Sequence, residues 1–153
     1  MSLYSLNSQT GFKYSPLFSA LILASFFLAT DPNTAAAEEI CKEGKASLIG
    51  EFDVIESRGG LWGFMEQTSA LKEKSVLGLQ TDSKIRRSIQ IFENMCNDGK
   101  TPTLDLFKEI RNVISEGRMV FNLAPDRTPA KTILDRVTAV NDKATALLAK
   151  LGE

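Results

Sequence analysis

From Ile133 to Leu151 the apolar side chains recur at steps of four, three, four, three and four: Ile133, Val137, Val140, Ala144, Leu147 and Leu151. A mean step near three and a half places every member on one stripe of an α-helix and leaves a strand no consistent face. Thr128 is the expected N-cap of this helix, with Pro129 at the first helical position and Gly152 as its stop. The same signature recurs upstream. After Thr101-Pro102-Thr103, Phe107, Ile110, Ile114, Gly117 and Phe121 follow at steps of three, four, three and four, widened by Leu106, Val113 and Val120. From about Thr81 or Asp82, Ile85, Ile89, Phe92 and Cys96 step by four, three and four before Asn97-Asp98-Gly99 closes the segment. A further helix is expected from about Glu39 to Ser57, with Cys41, Leu48, Phe52 and Ile55 on one face.

No useful strand alternation occurs, so the expected fold is all-α. It is an antiparallel four-helix bundle with an extra short helical segment and one intrachain disulfide, joined by short loops at 98–102 and 123–128. The extra segment covers 61–77, after Arg58-Gly59-Gly60-Leu61-Trp62-Gly63-Phe64-Met65. Three glycines in five positions there disfavour a continuous helix by about 1 kcal/mol each.

The first 37 residues read as a cleaved signal peptide. Lys13 precedes a thirteen-residue apolar run from Leu17 to Ala29, and Ala35-Ala36-Ala37 supplies small residues for cleavage. A run of that length falls short of the roughly 20 residues a membrane-spanning helix needs, so no span is expected once the signal is removed. Glu38-Glu39-Ile40 before Cys41 lacks the small residues of a lipoprotein processing site. Residues 38–153 are then a single helical-bundle domain of 116 residues, placed in the periplasm or outside the cell.

Cys41 and Cys96 test the topology. In an exported chain such a pair is expected to bond, which requires Cα atoms within about 7 Å. The intervening chain must therefore go out and come back in an even number of full-length passes. The piece from 61 to 77 either extends the first helix past a kink or lies across the bundle tip.

Composition removes whole classes of function. The chain has no histidine, so neither His-based nucleophilic catalysis nor a His-ligated metal is available. It contains no Cys-x-x-Cys and no glycosylation sequon. Eighteen basic against nineteen acidic residues give a net charge of −1, which offers no overall field for nucleic acid. Asn97-Asp98-Gly99 lacks the further oxygen ligands of a calcium loop, and Met65, Met95 and Met119 have no clustered spacing. No metal and no cofactor is expected.

Two candidate sites remain. Gly59, Gly60, Leu61, Trp62, Phe64 and Met65 combine backbone freedom with side chains common at partner-binding hot spots. They form either a docking patch or a plug for the end of the core, and the exposure of Trp62 discriminates. Arg111 and Arg118, seven residues apart on one face, are candidate anion ligands, although Ile110, Ile114 and Phe121 define a different, core-facing stripe. Arg86, Arg87, Glu93, Glu109 and Glu116 read as solvated faces with weak ion pairs. Gly50, Gly78 and Gly117 read as local packing, the alternative being that another helix comes close at Gly117 and likewise at Gly50 and Gly78.

The first reading is an exported helical bundle acting by protein–protein interaction, as an accessory or assembly subunit of an envelope or secreted system. A small-molecule carrier or sensor with a pocket between helices is the alternative. A histidine-free enzyme using Arg and Glu electrostatics is the third, and needs an inward-facing group with a strongly shifted pKa.

Overall fold

A computed structural model describes residues 38–153; the signal-peptide reading of 1–37 lies outside the described residues. A π-helical turn, Ile40–Gly44, leads into α1, Lys45–Glu56. There follow α2, Gly60–Gln67, a single 3-10 turn at Lys72–Lys74, α3, Ser75–Asn97, α4, Leu104–Val120, and α5, Ala130–Lys150. No strand occurs among the described residues.

Local chemistry sets most boundaries. Thr103 caps α4, its hydroxyl oxygen accepting from Leu106 N at 3.1 Å. Gly99 and Gly152, with φ of 68° and 84°, turn the chain after α3 and α5 in the left-handed region that glycine tolerates best. Thr128 does not cap α5 as expected. The helix starts at Ala130, no side chain caps it, and Pro129 is the N-cap residue, its carbonyl accepting from Thr132 N at 2.8 Å.

The seams fill the core. Ile133, Val137, Val140, Ala144 and Leu147 of α5 are buried, as are Ile110, Val113, Ile114 and Val120 of α4, Ile85, Ile89 and Phe92 of α3, and Leu48, Phe52 and Ile55 of α1. Bonds across the helices give their directions. Lys45 pairs with Glu93 at 3.1 Å and Glu56 with Arg86, so α1 and α3 are antiparallel. Glu109 meets Lys150 at 2.8 Å and Glu116 meets Lys143, so α4 and α5 are too. The bundle thus runs up, down, up, down, with α1 beside α4 and α3 beside α5.

Cys41 and Cys96 are bonded, with Cα atoms 5.6 Å apart. The outgoing pass is α1 followed by α2, and α3 is the return. Leu61 reaches towards Gly117, and Phe64 stacks edge-to-face on Phe121 at 5.3 Å. The register between α2 and the end of α4 therefore advances outward, and α2 extends the first helix past a break. That break is at 57–59, and a second follows α2, so α3 begins at Ser75, earlier than the expected Thr81 or Asp82.

Candidate functional site

The glycine-rich segment is held by contacts to α3. Gly59 and Gly60 have φ of 86° and 71°, a break that ends α1 and sets α2 going. The first free amides of α2 need acceptors, and none is supplied locally. Asp82, on α3, provides them: Oδ1 accepts from Leu61 N at 3.2 Å and Oδ2 from Trp62 N at 3.1 Å. A Cβ on Gly60 would lie 2.5 Å from that same Oδ2. One turn before Asp82, Gly78 lies so close to α2 that a Cβ would sit 2.6 Å from Trp62 N and 2.7 Å from the Leu61 carbonyl carbon.

This close approach inverts the pattern of the first turns of α3. Ser75, Gly78 and Thr81 face inward and are buried, while Val76 and Leu79 face out. Trp62 joins them at the surface. Val76, Leu79 and Trp62 are 58%, 51% and 44% exposed, large apolar side chains that an isolated chain gains nothing by showing to water. Trp62 and Leu79 line an open groove of about 410 Å³ together with Gly59, Gly60, Asp82, Ser83, Glu56 and Arg86.

Burial pushes the Asp82 carboxyl up to about 6, against the opposing pull of the Trp62 and Leu61 amides; Glu56 adds to the rise and Arg86 resists it. That is the shifted carboxylate an enzyme reading asked for. Both of its oxygens, however, are engaged by amides of α2.

The sequence-derived patch divides. Trp62 and Gly59 are exposed, Phe64 is half-buried against Phe121, and Leu61 and Met65 are fully buried core residues. Leu61 and Met65 therefore leave the docking candidates, because they plug the core as the competing reading required. Val76, Leu79 and Asp82 were missed. The available signal was the apolar pair Val76 and Leu79 running out of phase with the seam that continues through Ile85.

Arg111 and Arg118 share an open groove of about 460 Å³ with Lys108, Asn112, Ser115 and Glu51. Arg111 donates from Nε to Glu51 Oε1 at 2.8 Å, and Arg118 has no carboxylate partner among the described residues. The carrier reading wanted these arginines in a pocket between helices. They line instead an open surface groove where α4 meets α1, because Ile110, Ile114 and Gly117 take the core-facing stripe of the helix. Met119 is exposed there. Arg87 pairs with Glu153 through both its Nε and Nη2. Gly117 admits the Ile55 side chain, whereas Gly50 meets nothing within 4 Å.

No protein-family model, no curated protein and no solved structure matches this chain. Among the described residues no helix is long and apolar enough to cross a membrane.

Proposed function

We propose that this protein is an exported, non-enzymatic helical bundle that binds another exported or envelope protein through the face made by Trp62, Val76 and Leu79. It acts as an accessory or assembly subunit. The observation that carries this reading is a half-exposed tryptophan whose backbone is fixed by Asp82 and Gly78 and which shares a groove with the outward-facing Leu79, itself one helical turn from the exposed Val76. A large aromatic on a rigid backbone gives up little conformational freedom when covered, and it is the type of residue that dominates interface energetics. Export is supported by the Cys41–Cys96 bond and by the apolar run and small residues of the first 37 positions.

Photo-crosslinking in the protein's own host tests the reading. A photoreactive phenylalanine replacing Trp62 or Leu79 is expected to form a discrete adduct with one other exported protein. The same group at Ala139, exposed on α5, is expected to form none. Equal, diffuse labelling from all three positions contradicts the reading.

A further inference from the structure

The face shared by α1 and α4 is chemically unlike the Trp62 face and shares no lining residue with it. Two open grooves of about 460 and 280 Å³ run along it and meet at Ser115 and Arg118. From α4, Lys108, Arg111, Ser115 and Arg118 follow at steps of three and four, so one stripe of the helix faces the groove along its length. Arg58, just past the end of α1, adds a fourth cation. Against these stands one carboxylate, Glu51, bonded to Arg111. No carboxylate among the described residues pairs with Arg58, Lys108 or Arg118; Lys42, Lys74, Lys84 and Arg136 are also without one, but none of those four lines these grooves. In a chain of net charge −1 this is a local reversal of sign, and cations held along one groove favour an anion that lies along it.

The geometry restricts the anion. Ten residues of helix separate Lys108 from Arg118, about 15 Å, which is longer than a single carboxylate or phosphate group and close to the span of about five extended peptide residues. At the end near Arg58 the lining stays mainly polar, with Arg58 lying over the half-buried Phe121 ring, and only Val54 and Met119 offer exposed apolar side chains. A sulfated glycan or a polyphosphate gains nothing from those two side chains. A peptide carrying both acidic and apolar side chains uses both parts.

We propose that the groove between α1 and α4 binds an acidic peptide segment of a partner protein, with carboxylates along Lys108 to Arg118 and an apolar side chain against Met119. The site is independent of the Trp62 face.

Fluorescence anisotropy with a labelled peptide of about eight residues, glutamates ending in phenylalanine, tests it on the disulfide-bonded protein. The expected result is saturable binding that weakens steeply as salt rises and that falls by about tenfold or more in Lys108→Glu/Arg118→Glu. Arg136→Glu, which changes an exposed cation of α5 outside the groove, is expected to match the wild type, and so is Trp62→Ala. Met119→Ser is expected to weaken the phenylalanine-ended peptide severalfold and to leave one ending in glycine unchanged. The proposal is overturned by absence of saturable binding or by equal losses in Arg136→Glu and the double variant. It is overturned too if a sulfated oligosaccharide displaces the peptide at lower concentration while remaining indifferent to Met119→Ser.

Discussion

Asp82 caps a helix that begins twenty-two residues before it: the Trp62 amide donates to Asp82 Oδ2 at 3.1 Å. The bond does two things at once. It satisfies an amide that α2 leaves open at its N-terminus, and it fixes the backbone from which the Trp62 ring projects beside Leu79.

The ionisation of Asp82 makes that arrangement sensitive to pH. Its pKa of about 6 in the folded chain lies above the ordinary 3.8, so the folded state binds the proton more readily than the unfolded one. The group's stabilising contribution is therefore complete below the ordinary value and is lost as pH rises through about 6. Asp82→Asn keeps the shape without the titration. Its Tm relative to the wild type is expected to rise from about pH 4 to about pH 7.5, read by thermal denaturation in a pH series. A relative Tm that falls over the same interval means that the cap outweighs burial.

Glycine substitutions separate close approach from idle flexibility. In Gly78→Ala the new methyl meets backbone of α2, which cannot step aside, so the expected outcome is a net loss of about 1–3 kcal/mol despite alanine's better helix propensity. Gly50→Ala meets nothing within 4 Å in α1 and is expected to gain about 0.5–1 kcal/mol. Urea denaturation of the two variants checks both signs.

Neighbouring residues of α2 should behave oppositely. Leu61 is fully buried, and Leu61→Ala is expected to cost about 2–5 kcal/mol. Trp62→Ala, at a half-exposed position, is expected to cost about 1–2 kcal/mol and to leave the far-ultraviolet circular dichroism intact. Unfolding of the Trp62 variant at room temperature would show that the ring belongs to the core.

The Cys41–Cys96 bond closes a separation of 55 residues, worth about 4 kcal/mol in the loop-entropy treatment. Cys96→Ser is expected to lower Tm by several degrees under oxidising conditions. With reductant present the two proteins should melt together, and a gap that survives reduction points to packing at Cys96 instead.

Most of the bundle was legible because its seams are regular. Ile133 to Leu147, Ile110 to Val120 and Ile85 to Phe92 are all inward-facing, and the cysteine pair correctly demanded an out-and-back path. The start of α3 was hidden for a physical reason. Where α2 rests on it, the inward positions are Ser75, Gly78 and Thr81, because nothing larger fits beneath a backbone, and the large apolar residues point to solvent. A seam of small residues with apolar residues on the wrong face does not read as a helix continuing upstream. The glycine-rich segment was legible as a place of interest, but its division was not. Only the tertiary contact with Gly78 decides that Leu61 and Met65 go in while Trp62 goes out. The grouping of Arg58 with Lys108 and Arg118 was equally invisible, since it depends on α1 and α4 lying side by side.

The most direct test is native mass spectrometry of the wild type and of Trp62→Ala, each purified gently from the exported fraction of the protein's own host. A second protein bound to the wild type and absent from a folded Trp62→Ala is the expected result. The same partner retained at the same occupancy by Trp62→Ala, or a wild-type chain carrying only a small molecule, would contradict docking through this face.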